Sequence, residues 1–546
     1  MSASEVSMEP RMSLDQLPNT AFELVIEYLV STIGFYKAVR LRLVNRSFNS
    51  EILFVLCNKH VLDIDDPATP AISKRMSPSL KARILLCQSP CEGDKSEFSK
   101  AIASVNQAMD RAIQQTEEGR RRQHQIIAEA VCNMDHRKTP RWEELYDRTT
   151  HIEAQNVLSG AIVLGNLPLV KSLLEAPDAT ASVNGETPYF GRPLQLAAVW
   201  GHLDIVRYLL DRGADPRATS FDAVYEGWKP KNEPRIREMK RHYRSPKGSV
   251  LRAAALGGSE DIVNLLLEPQ NRISTDDEEY SLAILAAARR GHHNIYRKLI
   301  ALTGKTLDDF PRLRNEMLWE AAFHGQYEVI QMLLDIGVDI DEEPELILAD
   351  HGSALEIAAS RGDVRMVRFL LARGASIGPS EKLKSNPIIS AVKGGHEEVV
   401  EILLERGANS DLLSAAAHAG QARLVRWLLA RDPGQVTRKV ANGEYTVGAH
   451  ALDSAIAALN PEIVTILLDA GASLDGYPRM ENILFYPEVF SSAWMVDFLI
   501  SLRIIDQGPE GYEDHRHIVE QGSVIYKAYG RGVWIIKRSW KWVGKY

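Results

Sequence analysis

Residues 194–216 read LQLAAVWGHLDIVRYLLDRGADP, and the phrase returns as LEIAASRGDVRMVRFLLARGASI at 355–377 and as IISAVKGGHEEVVEILLERGANS at 388–410. Each copy runs through a helix of small residues, a glycine, and a second helix ending in paired leucines. In the first copy Ile205, Val206, Leu209 and Leu210 fall at i, i+1, i+4 and i+5, which is one apolar helical face. Ala197 and Ala198 are small, as a first helix requires if its neighbours are to stack closely. Gly201 and Gly213 suit the left-handed residue just past a helix end, where a side chain would clash. One helix pair alone would leave its apolar face wet, so the units must stabilise one another in a row.

Gly165, Gly201, Gly258, Gly291, Gly325, Gly362, Gly395 and Gly420 serve as a ruler, with Leu459 and Ser491 as equivalents that lack the glycine. Several steps lie at or near thirty-three residues, the period of ankyrin repeats. The chain resembles the ankyrin family over roughly residues 156–503. That resemblance implies an all-α ankyrin-repeat solenoid of about nine to ten helix-turn-helix repeats. It also implies a protein partner on the concave face rather than catalysis. The departure lies where the family usually opens its first helix with Thr-Pro-Leu-His. Here 192–195 are Arg-Pro-Leu-Gln, 353–356 Ser-Ala-Leu-Glu and 386–389 Asn-Pro-Ile-Ile. The family's Thr and His hydrogen-bond between repeats, so a more irregular array is expected.

Composition excludes several classes. A formal charge of −8 over 546 residues gives no global pull toward nucleic acid. Cys57, Cys87, Cys91 and Cys132 all precede the array, and such low usage fits a reducing compartment without a disulfide framework. The first residues lack an apolar signal core, and no apolar run approaches a membrane span. The expected location is cytoplasmic, nuclear or both.

The chain divides into a polar start (1–13), a helical module (14–62), a helical linker or adaptor (63–153), the array (154–503) and a basic aromatic tail (504–546). In the module Leu17-Pro18 opens a helix with proline in its first turn, where the missing N–H costs nothing. Phe22, Val25, Ile26 and Leu29 follow as an apolar stripe, and Val44, Arg46 and Phe48 lie beyond a polar turn. This segment resembles an F-box, and the pairing resembles F-box/ankyrin proteins of filamentous fungi. The resemblance implies that these nine residues dock a Skp-type linker subunit of a cullin-type, SCF-like ubiquitin ligase, the array holding the target. Thr20 and Asn45 depart from its usual Glu and Cys. The competing reading is a helical cap on the array, with the chain a scaffold or nuclear transcriptional coregulator without ubiquitin chemistry.

Two irregular steps stand out. Between Gly201 and Gly258 an insertion at about 217–248 carries eight basic and two acidic residues over 229–247, beside Tyr225 and Trp228. A basic finger with Trp228, Arg235, Arg237, Lys240, Arg241 and Arg244 suits an acidic peptide or an import signal; the plainer reading is a solvated insertion. Direct nucleic-acid binding is the less expected use. Between Gly395 and Gly420 eight residues are missing, so that finger should be nearly absent. Acidic runs at 275–280 and 339–345 are expected at finger tips. Residues 523–546 of the tail carry six Lys or Arg with Trp534, Trp540 and Trp542, as a degenerate capping repeat or a contact surface.

No catalytic chemistry emerges. The stretch TGKT at 303–306 lacks the upstream glycine of a phosphate loop. HEEVVE at 396–401 lacks the second histidine of a zincin, and Cys87 and Cys91 have no companion ligands at useful spacing. No enzyme, metal or cofactor is expected.

Overall fold

A computed structural model describes residues 24–27, 52, 55, 78–88, 97–133, 151–187, 189–219, 248–342, 352–378, 386–408, 411–440, 445–474, 498–499, 501–502, 524–528, 533–538 and 541–542. The chain forms two compact units, Met1–Thr306 and Leu307–Tyr546.

In the first unit α1 (Pro78–Gln88), α2 (Glu97–Ala112) and α3 (Glu117–Asn133) precede the helix pairs. These pairs are α4 (His151–Val163) with α5 (Leu167–Glu175), α6 (Pro193–Val199) with α7 (Leu203–Asp211), α8 (Val250–Gly257) with α9 (Glu260–Leu266), and α10 (Glu278–Arg290) with α11 (His293–Leu302). Helix α2 packs on α4 through buried Ile102, Val105 and Met109. It therefore covers the apolar end that the first repeat would otherwise expose. The first helices α4, α6, α8 and α10 stack in sequence, as do the second helices behind them. Ile205, Val206 and Leu209 are buried, as their spacing requires. Each contributes about 1.5–3 kcal/mol by leaving water. Tyr280 of α10 donates its phenol to the carbonyl of Leu299 on α11 at 3.0 Å, and burial pushes its pKa up to about 12.

The second unit repeats the plan. Its pairs are α12 (Pro311–His324) with α13 (Tyr327–Asp335), α14 (Ala354–Arg361) with α15 (Val364–Leu371), α16 (Pro387–Gly394) with α17 (Glu397–Glu405), α18 (Leu412–His418) with α19 (Ala422–Arg431), and α20 (Val447–Ala457) with α21 (Pro461–Asp469). Nine consecutive pairs thus stand among the described residues of the two units. The equivalent of Ser491 lies outside them. Helices α17 and α18 are joined by the residues between Glu405 and Leu412 alone, which is the expected loss of a finger. In the C-terminal tail, β1 (Val524–Ala528), β2 (Val533–Arg538) and β3 (Lys541–Trp542) form an antiparallel sheet. Val524 pairs with Lys537, and Lys537 with Trp542. The β-branched and aromatic residues there favour an extended backbone over a helix.

The residue after the ruler position adopts one of two roles in eight of the nine pairs, Gln326 being the exception: it makes no cap and its amide donates to the His324 carbonyl of its own repeat. Asn166, Ser259, Asp363 and Asn460 cap their own second helix by accepting from the N–H three residues on. His202, His292, His396 and Gln421 reach backward instead. They bond the carbonyls of Val163 (3.3 Å), Leu256, Ser360 (3.1 Å) and Lys393 (2.8 Å) in the preceding repeat. Each carbonyl lies two residues before a ruler glycine, in a helix's last turn, where no intrahelical N–H is left for it. Among the altered helix openings Arg192 makes no side-chain cap, but others keep theirs. Ser249, Ser353, Asn386 and Asp411 stand where the family's Thr would, and each accepts an N–H of its own helix.

Candidate protein-binding surface

Charge on the second helices is paired in part between repeats. Arg368 pairs with Glu398 (3.5 Å), Arg423 with Glu397 (2.8 Å), Arg426 with Glu462 (2.8 Å) and Arg431 with Glu401 (3.4 Å). In the first unit Arg212 and Tyr208 both meet Glu175. These exposed pairs sit in high dielectric and add at most about 1 kcal/mol each. They link successive second helices, while others on the same row, such as Arg207, Arg297 and Arg365, stay exposed.

Some acids of the finger runs are turned toward neighbouring elements, while Asp276, Glu278 and Asp339 stay exposed. Asp277 caps α10, while Glu279 accepts from the N–H of Ser249 at 2.8 Å and faces the buried Arg252 guanidinium at 3.8 Å. Glu342 accepts from Asn315 (2.9 Å) and Arg314 (3.3 Å), and Asp341 accepts the Ser376 N–H at 2.9 Å. Glu279, Asp341 and Glu342, acids that the sequence suggested for a partner, thus tie one element to its neighbour.

The first helices of the second unit present a different surface. Along α12, Arg312, Glu316, Trp319 and Phe323 recur at helical spacing on the half-exposed face. Arg312 and Glu316 pair at 3.2 Å. Trp319 and Phe323 stack with ring centroids 5.4 Å apart, their planes only 14° from parallel. Arg361, at the end of α14, lays its guanidinium 4.2 Å from the Phe323 ring centroid, within cation–π range. Lys393 and His418 occupy the last turns of α16 and α18, and Arg361, Lys393 and His418 are all exposed. Sequence reading missed this platform because its members lie in different repeats. The signal was present: Trp319 and Phe323 stand where sibling repeats carry residues such as Glu356, Ser414 and Ser360.

The sequence-derived sites are placed only in part. Val25 is 39% exposed beside Leu24 at 64%, whereas Ile26 is wholly buried. Leu17, Pro18, Phe22, Leu29, Val44, Arg46 and Phe48 lie outside the described residues, as do Trp228, Arg235, Arg237, Lys240, Arg241 and Arg244. The roots of the basic insertion are described. The buried side-chain amide of Gln195 donates to Ala218 (2.9 Å) on one side of it and to Gly248 (3.4 Å) on the other. Gln195 stands where the family's His would. It therefore closes the neck of the insertion. Among the described residues no group of His, Cys, Asp or Glu is arranged to hold a metal ion, and no helix is long and apolar enough to cross a membrane.

Comparison with known proteins agrees with this repeat geometry. The family described as Ankyrin repeats matches residues 126–220, 251–344 and 342–414, leaving out most of the insertion. Ankyrin repeat and KH domain-containing protein mask-1 of Caenorhabditis elegans is 27% identical over 277 residues, 43% of this chain and 10% of that protein. Ankyrin repeat domain-containing protein SAT10 of Stachybotrys chartarum is 24% identical over 324 residues, 58% of this chain and 15% of that protein. An L-asparaginase of Dirofilaria immitis is 30% identical over 166 residues, 29% of this chain and 26% of that protein. The chain spans about a quarter or less of the length of these relatives.

Proposed function

We propose that this chain, which carries ankyrin repeats and is built as a protein–protein interaction scaffold, recruits a target protein without catalysing a reaction on it. The supporting observation is the division of charge just described. Several second-helix and finger charges are directed at one another, while the first helices of the second unit set the cations Arg361 and Lys393, without a carboxylate partner among the described residues, beside the Trp319–Phe323 pair. A surface left uncommitted by the scaffold is where a partner gains most from contact. The scaffold acts in the cytoplasm, the nucleus or both.

The finer reading makes it the substrate-recognition adaptor of a cullin-type ubiquitin ligase, residues 14–62 docking the Skp-type linker. Its support is the Leu17-Pro18 opening and the later Val44, Arg46 and Phe48, together with the exposed Leu24 and Val25. The complete burial of Ile26, Ile52 and Val55 favours a second reading, in which the module is a packed cap and the array a nuclear coregulator. Co-expression of the full chain with a Skp-type linker tests this directly. A stoichiometric complex that Leu24→Asp/Val25→Asp abolishes supports the adaptor. A folded chain that elutes alone leaves the scaffold and removes the ligase.

A further inference from the structure

Three features invite a further step: the neck of the insertion at Gln195, the β-sheet of the tail, and the Trp319–Phe323–Arg361 platform on which the protein-binding reading itself rests. The third carries furthest. Its geometry is fixed by contacts on both sides. His396 bonds the Ser360 carbonyl and Gln421 bonds the Lys393 carbonyl, which pins the helix ends carrying Arg361 and Lys393. The close approach of α14 and α16 adds to this, since a Cβ on Gly394 would lie 3.0 Å from the Ser360 oxygen. Rigid cations are thus held one per repeat beside a rigid aromatic pair.

Among the described residues no carboxylate pairs with Arg361, Lys393 or His418, although neighbouring acids are abundant. Glu316 pairs with Arg312, Glu320 lies 3.2 Å from His324, Glu356 accepts from Ser390 at 2.7 Å, and Asp411 meets His450 at 2.8 Å. Cations at helix C-termini are favoured by the backbone dipole alone, and that accounts for their presence in the last turn. It does not account for the aromatic pair Trp319 and Phe323, which stands part-exposed beside them.

Resting on the protein-binding reading, we propose that this face takes an extended acidic peptide segment of the partner. An aromatic or aliphatic side chain of that segment lies against Trp319 and Phe323, and its carboxylates meet Arg361 and Lys393. Arg361 serves both halves, since its guanidinium stacks on Phe323 while its N–H groups stay open to a bidentate carboxylate. Charge complementarity selects the occupant: a basic or neutral segment would leave the exposed cations Arg361 and Lys393 unmatched or repelled.

The test selects a phage-displayed library of random linear peptides against the full chain. The consensus peptide is then synthesised with a fluorescent label and its binding measured by anisotropy. The expected consensus places Asp or Glu on either side of an aromatic or aliphatic residue. Arg361→Glu/Lys393→Glu should weaken it by about tenfold or more, while the exposed second-helix control Arg365→Glu leaves it within about twofold. Phe323→Leu should weaken it too, with an unchanged urea midpoint showing that the fold is intact. Selected peptides without acids, or insensitive to Arg361→Glu/Lys393→Glu, overturn the proposal while the protein-binding reading stands. A library yielding no binder overturns both. Equal, Arg361-dependent binding of a labelled DNA duplex overturns the assignment to a peptide.

Discussion

The ring of His396 lies over Gly362 and hydrogen-bonds the Ser360 carbonyl at 3.1 Å, so one repeat closes the helix end of the one before it. A carbonyl can only accept, so Nε2 carries the proton in this contact. Gly362 makes room in two ways. Its φ of +69° is left-handed, and a Cβ there would lie 2.3 Å from His396 Nδ1.

Gly362→Ala should therefore cost more than an ordinary left-handed substitution. Gly374 provides the comparison, with φ +91° and nothing within 4 Å of the place a methyl group would take. Gly374→Ala costs about 1–2 kcal/mol of backbone strain. Gly362→Ala adds the lost latch and its displaced ring, for about 3 kcal/mol in all. Urea unfolding of the two variants checks this; equal midpoints would show that the latch contributes nothing.

The His292 latch, one of two in the first unit, brings a pH dependence. Desolvation by burial holds the His292 pKa below its ordinary 6.5, while the bond to Leu256 pulls the other way and Arg290 and His293 reinforce the lowering. The folded state therefore prefers the neutral ring. Its contribution is complete above the unfolded pKa and is lost as pH falls through the lowered folded value. Gln421 shows that an amide makes the same contact without titrating. His292→Gln should thus lose less stability than the parent between about pH 7.5 and pH 5. Urea midpoints across that range measure it, and parallel pH profiles would refute the role of His292.

Much of this architecture is legible in the sequence because the ruler glycines and the paired leucines are set by backbone and packing demands that few residues meet. Ile205, Val206 and Leu209 had one possible place once the period was known. The acidic fingers were less legible. Glu279 and Glu342 look like solvated charge in sequence, yet their partners Ser249, Arg252, Asn315 and Arg314 come from across a stacking contact that no local pattern encodes. Gln195 is a similar case. Read as a departure from the family's His, it performs a comparable bridging task on the finger backbone. The Trp319–Phe323–Arg361 platform escaped because cation–π and stacking contacts between repeats depend on side-chain direction, which spacing alone leaves open.

Gln195 also predicts how the insertion behaves. Its amide holds both Ala218 and Gly248, so the neck is closed by a residue outside the inserted segment. Replacing residues 220–247 with a Gly/Ser linker of about six residues should leave the urea midpoint nearly unchanged, since loop length enters closure entropy only logarithmically. Gln195→Ala should instead cost about 1–3 kcal/mol by leaving buried carbonyls without their donor. The same loop replacement reads out the basic finger: loss of nuclear accumulation without loss of stability would assign it to import. Unchanged localisation removes that role.

Leu24, Val25 and Ile26 separate docking from packing within three consecutive residues. A docking side chain must be reachable in the free chain, and Val25 and Leu24 are, whereas Ile26 is sealed. Ile26→Ala should cost about 2–5 kcal/mol, as truncations in filled cores do. Ile26→Asp would bury a charge and unfold the module, so loss of binding in that variant says nothing about the partner. Val25→Ala and Leu24→Ala should cost well under about 1 kcal/mol, because half-exposed side chains leave no cavity. The informative pair is therefore Leu24→Asp and Val25→Asp, measured for both urea midpoint and linker co-purification. Intact folding with lost co-purification means the exposed stripe docks a partner. Intact folding with co-purification retained places any linker contact elsewhere on the module. A large fall in the midpoint would mean that these two side chains pack against the chain itself, as a cap requires.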